Sequence, residues 1–253
     1  MFTRKYPIRN LLTSLFFICC LGCRHSTDWR TADNSSSKIA PLPQDEPRAV
    51  IQIYAARVFG WRGYFSVHSW LAYKEKDSDH YVTYHVIGWK LNRGLNIVTI
   101  EKDIPDRKWY GSSPDLILDL RGQAAEKAIP KIQAVASTYP YPYHYRAYPG
   151  PNSNTFVSYI IRHVPELEIE LPPNAIGKDW INKGDLIGMS ESGTGVQFSV
   201  YGLLGATVGL GEGVEVNLLG MSFGVDILRP ALKLPFIGRI GLPDKSVFIK
   251  SDE

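Results

Sequence analysis

A serine acts as a nucleophile when a neighbouring base takes its proton and a third group holds that base in place. Ser153, His68 and His85 are the residues of this chain placed to fill those roles. Ser153 follows the turn Pro149-Gly150-Pro151-Asn152 and heads an apolar series, Phe156, Val157, Ile160, Ile161 and Val164. That spacing predicts a helix capped by Asn152, with Ser153 in the first turn, where free amides favour developing negative charge. The same residues also suit a plain helix cap without chemistry. His68 lies in the run 64–73 and His85 in the run 81–89, both expected as strands and joined as a hairpin. Each histidine also fits a structural role, and register decides whether the two share a face.

The segment Tyr139-Pro140-Tyr141-Pro142-Tyr143-His144-Tyr145 alternates aromatics with backbone-restricting prolines. It suits the wall of a cleft, with Tyr141, Tyr143, His144, Tyr145 and Asn152 as substrate-binding candidates, or else a packed connector. His163 is expected to be exposed, and Arg57, Arg62 and Arg146 suit either an anionic substrate or solvent. Asp103, Asp106, Asp115 and Asp119 do not pair as acid and base on sequence grounds. The absence of a His-Glu-x-x-His run and of a compact carboxylate set leads to the expectation of no metal site. Gly209, Gly211 and Gly213 lack the strand-to-helix context of a dinucleotide loop, so no cofactor is expected.

Arg4, Lys5 and Arg9 precede an apolar run from Leu11 to Leu21, too short to span a bilayer, so residues 1–22 read as an export signal. Leu21-Gly22-Cys23 is similar to the end of a bacterial lipobox, with Cys20 where that motif prefers Leu. Lipidation of Cys23 would tether the chain to a membrane; ordinary secretion and a retained anchor are the alternatives. The other cysteines, Cys19 and Cys20, fall inside the signal, leaving the folded body without a disulfide, a thiolate nucleophile or a zinc-thiolate site. Loss of residues 1–22 leaves 25 basic against 25 acidic residues, and so balanced a domain gives no electrostatic case for nucleic acid.

Residues 23–46 read as the lipidated terminus and a polar tether. From 47 to 181 the chain reads as an α+β core with strands at 50–56, 64–73, 81–89 and 97–100, a strand or helix at 116–120, and a helix at 124–137 that Pro130 kinks or divides. Residues 182–253 read as a Gly-rich antiparallel meander. Its Leu203–Val208 run is expected to pack on the main core, with a membrane-facing orientation as the alternative.

Val67-His68-Ser69-Trp70, Tyr84-His85-Val86 and Asn152-Ser153-Asn154-Thr155-Phe156 together carry a resemblance. Over about residues 48–180 the chain resembles a family of bacterial envelope proteins of unknown function. More distantly it is similar to circularly permuted papain-like proteins allied to NlpC peptidases and lecithin:retinol acyltransferases. The resemblance implies a histidine base at His68, an orienting residue at His85 and a nucleophile at Ser153, where those enzymes have cysteine. It implies an amidase or esterase acting on peptidoglycan or lipid in the cell envelope. A hydroxyl is a weaker nucleophile than a thiolate, so a groove retained for binding without catalysis, or a structural partner offering a sheet edge, stands beside that reading.

Overall fold

Apolar residues alternate along β1 (Val50–Arg57), and because both of its sides are covered, Val50 through Ala56 are 0–1 % exposed. This computed structural model describes residues 28–181 and 185–243, so Cys23 and the segment expected as an export signal lie outside the described residues. β1 pairs antiparallel with β2 (Val67–Lys74) on one side and with β5 (Asp115–Arg121) on the other. β3 (Val82–Val86) and β4 (Val98–Lys102) extend the five-stranded sheet in the order β4-β3-β2-β1-β5. The run 116–120 becomes strand because β1 has a second edge to satisfy, and the pairing buries Leu118 and Leu120.

Ile51, Ile53, Leu71 and Tyr73 form the face on which two helices pack, α1 (Gln123–Ser137) and α2 (Ser153–His163), through Ile129, Ile132, Phe156 and Ile160. Pro130 neither divides nor ends α1, which runs through it with the proline on the solvent side, where the carbonyl left without a partner can meet water. The opposite face carries Tyr54, Trp70, Ala72 and Tyr81, covered by Ile39, Ala40, Trp109 and Leu116. Part of that cover comes from the segment expected as a tether. The buried Asp106 carboxylate accepts from Ser36 Oγ (2.8 Å) and from the amides of Ile39 (2.6 Å) and Ala40 (3.1 Å). These bonds hold residues 36–40 against the sheet, so the flexible part of a tether cannot extend through them.

The second sheet is a seven-stranded meander in sequence order: β6 (Ile187–Met189), β7 (Gly195–Val200), β8 (Leu204–Gly209), β9 (Gly213–Leu218), β10 (Met221–Asp226), β11 (Ala231–Leu234) and β12 (Gly238–Gly241). The two antiparallel sheets and the helices make a mixed α+β fold, as expected, with a β-rich region following the helical one.

The meander is inside out. Register aligns Met189, Val196, Val208, Val214, Val225, Leu232 and Ile240 in one row on the exposed side. Gln197, Thr207, Glu215 and Lys233 align on the buried side. Leu204, Ala206 and Val208 therefore point outward, and the expectation that this run packs on the core is corrected: its inward positions belong to Gly205 and Thr207.

The inner polar face is satisfied by the chain between α2 and β6. Lys178 Nζ donates to Glu215 Oε2 (2.9 Å), Lys233 Nζ donates to Glu215 Oε1 (2.9 Å) and to Glu170, and Asp179 accepts from Gln197, Asn217 and Ser222. Burial opposes ionisation of Glu215, but Lys178 and Lys233 hold it down to about 2. Glu170 is pushed well up, by burial and then by its neighbour Glu215.

Candidate functional site

The head of α2 is fixed before any chemistry is considered. Asn152 Oδ1 accepts from the amides of Asn154 (2.9 Å) and Thr155 (3.2 Å), and Thr155 Oγ1 accepts from the Asn152 amide (3.1 Å), closing a reciprocal cap. Asn152 Nδ2 donates to Ala147 O and Ile176 O, so the whole side chain is committed to holding the turn. Gly177, at φ 100°, passes so close that a Cβ there would lie 2.6 Å from Asn152 Oδ1.

One residue further, Asn154 ties the helix to the sheet. Its Oδ1 accepts from the Ser69 amide (3.1 Å) and Ser69 Oγ (2.9 Å), and its Nδ2 donates to Val67 O and Ile176 O. Asn154 thus grips the backbone on both sides of His68. Strand alternation then sets the direction of that histidine. Ser69 faces α2, so His68, its neighbour along the strand, points to the other face of the sheet.

On that other face, His68 lies flat against Trp109, with ring centroids 3.7 Å apart and 11° between the planes, and stacks more loosely on Trp70. His85 shares this face, its ring 6.3 Å from that of His68. The two histidines therefore do converge, but Ser153 approaches from the helix side. Among the described residues no hydrogen bond joins Ser153 Oγ to either histidine: His85 Nε2 contacts Glu101 Oε1 at 3.4 Å, and His68 Nε2 is buried without a partner. Burial drives the His68 imidazole well below its ordinary range, with His85 adding to the effect. Burial also lowers His85, against the pull of Glu101. Both rings are therefore neutral at pH 7.

Ser153 and His68 meet in a different sense, as two walls of one cavity of about 520 Å³. The cavity sits where β1 and β3 leave the sheet and β2 enters it, so it reaches around the strand end from one face to the other. Phe59, Phe65, Trp109, Tyr145, Val86 and Ile176 supply an apolar lining, with Ser153, Asn152, Asn154, Ser66, His68 and Arg62 among the polar positions. Tyr145 is held by contact with Gly88, where a Cβ would lie 2.5 Å from its ring. His85 does not line this cavity; it lies beyond Trp109 in a small cleft with Thr83 and Asp103.

Of the expected binding residues, Tyr145 and Asn152 line the cavity, whereas Tyr141, Tyr143 and His144 do not. Tyr141 accepts from Trp180 Nε1 (3.1 Å) and packs beside Tyr139, a connector's role. Tyr143 and His144 are exposed outside the cavity. His163 is exposed, as expected, and bonds Tyr159 O.

The sequence reading missed Trp109 and Asn154. Trp109 lies in an irregular stretch with no periodicity to mark it, and a tryptophan beside Gly111 was the available signal. Asn154 is marked by the second asparagine of Asn152-Ser153-Asn154, which a single cap does not require. Among the described residues no group of three or more His, Cys, Asp or Glu side chains is arranged to hold a metal ion, and no helix is long and apolar enough to cross a membrane.

No curated protein and no solved structure matches the chain. A family model does, over residues 48–180, a stretch that runs from the start of β1 to the end of the polar segment after α2 and includes Ser153, His68 and His85. That match takes in just over half of the 253 residues, and the chain belongs to the family described as Protein of unknown function (DUF3750).

Proposed function

We propose that this chain is a cell-envelope ligand-binding protein whose cavity takes an apolar ligand, such as a lipid chain, with a small polar group at one end. The observation that carries this reading is the cavity itself. Its volume of about 520 Å³, aromatic and aliphatic walls and few polar positions are those of a small-molecule site. Ser153 Oγ supplies hydrogen bonding, while His68, stacked on Trp109, supplies a neutral wall. The envelope location and an anchor at Cys23 are part of the proposal and rest on the export-type segment and Leu21-Gly22-Cys23.

The test is binding of a fluorescent naphthylamine probe to the full chain, compared with Ala147→Trp, which fills the cavity from an exposed position on its wall. Bright binding by the natural chain and loss of it in the variant are expected. Equal binding by both would place the ligand elsewhere.

A second reading is a serine-variant amidase or esterase on a permuted papain-like core. It is favoured by the position of Ser153 as the first residue of α2, at the positive end of the helix dipole, which favours an oxyanion. In that reading His68 swings off Trp109 to take the Ser153 proton, and His85 orients it. Ester turnover that survives Ser153→Ala unchanged would end this reading.

A further inference from the structure

We infer that the exposed face of the β6–β12 sheet lies flat on a lipid bilayer and turns the mouth of the cavity toward it. Val196, Phe198, Val208, Val216, Phe223 and Leu232 lie on this face, each 40–60 % exposed, and no strand position on it carries a polar side chain. A soluble antiparallel sheet carries the reverse pattern, with polar residues facing water. Here the polar residues are committed inward to Lys178, Asp179 and Glu170, so flipping the sheet would strand a buried ion network. Seven strands at about 4.8 Å spacing make an apolar face roughly 30 Å wide, beyond what soluble surfaces usually leave bare.

The strands are three to six residues long, whereas a strand that crosses a bilayer needs about 9–11, so the sheet rests on the membrane and does not span it. The turns distinguish a bilayer from a second copy of the chain. In two stacked sheets the hairpin turns project past the interface into water and carry polar residues. In this sheet Tyr201, Leu219 and Phe236 are exposed at turns on one end, and Leu210 and Ile227 at turns on the other. The apolar surface therefore continues around both ends, as a membrane interface requires.

Two connections set the orientation. Phe236 of the meander meets Phe65 of the cavity wall, ring centroids 5.4 Å apart, which makes the apolar surface continuous with the mouth. Tyr110, also of the cavity wall, donates its amide to Asn34 Oδ1, six residues after Asp28, the first described residue. Cys23 precedes Asp28 by five residues, at most ~18 Å of extended chain. An anchor there would hold the mouth within reach of the bilayer; this last point rests on the reading of Cys23, while the sheet's own pattern does not.

The test uses the full chain with Cys19, Cys20 and Cys23 changed to Ser, so that no lipid anchor contributes. One version carries an environment-sensitive dye on Val216→Cys and another on Lys76→Cys, at the exposed turn between β2 and β3. Both are mixed with vesicles of phosphatidylethanolamine and phosphatidylglycerol brominated on the acyl chains. Quenching at 216 and not at 76 is expected, with Val208→Asp lowering the vesicle-bound fraction about tenfold. Equal quenching at both sites overturns the proposal, because contact is then not through this face. No quenching also overturns it: sedimentation as a dimer would show a second copy covering the face, and sedimentation as a monomer would show the face bare.

Discussion

His68 and Trp109 lie in parallel contact, 3.7 Å between ring centroids, and this stack holds the histidine away from the helix that carries Ser153. The stack removes the imidazole from water and leaves its Nε2 unpaired, so it sets both the orientation of His68 and its charge.

Stability should depend on pH through this residue. The folded protein resists protonating His68, whereas the unfolded chain takes up the proton near pH 6.5. His68 therefore favours unfolding as pH falls below about 6.5, with a slope of at most about 1.4 kcal/mol per pH unit. Buried acids with raised pKa, Glu170 and Glu191, act in the opposite sense over part of this window, so the comparison must be with a variant. Urea unfolding of the natural chain and of His68→Gln between pH 7 and pH 5 is expected to show the natural chain losing more stability. In Trp109→Ala the His68 proton resonance should titrate closer to its ordinary range. Parallel pH curves for the natural chain and His68→Gln would refute the idea.

Removing the Asn154 side chain should loosen the joint between α2 and β2. Asn154→Ala takes their Asn154 partner from the Ser69 amide and hydroxyl and from the carbonyls of Val67 and Ile176, the last of which keeps Asn152 Nδ2, at a cost of about 2–4 kcal/mol. Asn152→Ala should cost about 1–2 kcal/mol through the cap, and Gly177→Ala should cost a similar amount by pressing on the same side chain. Denaturant midpoints check all three, and Gly177→Ala is expected to cost less on top of Asn152→Ala than alone, the remainder being the strain of alanine at φ 100°.

Glu215 is ionised between two buried lysines, with its pKa held near 2 against 4.5 for an ordinary glutamate. Its contribution to stability is present above about pH 4.5 and is lost as pH falls toward 2. Glu215→Gln should lower stability at pH 7 by about 3 kcal/mol, because Lys178 and Lys233 remain buried with less opposing charge. The gap between the natural chain and the variant should narrow on acidification to pH 3. A constant gap would mean that the glutamate acts through packing alone.

Gly88→Ala offers a second way to close the cavity, from a backbone position on its wall. The new methyl group would sit 2.5 Å from the Tyr145 ring, which must move toward the open space. A stability loss of about 1–3 kcal/mol is expected. Probe affinity should fall along with it, whereas Tyr143→Ala, outside the cavity, should leave affinity as it was. Naphthylamine fluorescence titration measures both.

The sequence determined the features that depend on near neighbours. Alternation along 50–56 specified a strand, the 3.6-residue spacing from Phe156 to Val164 specified a helix, and Asn152 specified its cap, because each signal lies within a few residues of its effect. The Gly-punctuated runs after Gly195 announced the meander for the same reason. Tertiary structure decided which way those elements face. Whether Ser69 or His68 lies beneath α2 is a matter of strand parity, fixed by Asn154 and the packing of Leu71 and Tyr73 against the helices. The meander's alternation was equally legible, but its sense was not. Leu204 and Val208 face outward because Glu215 and Lys233, far along the chain, are needed against Lys178 and Glu170 inside. A local pattern fixes a period, and only the partner surface fixes its phase.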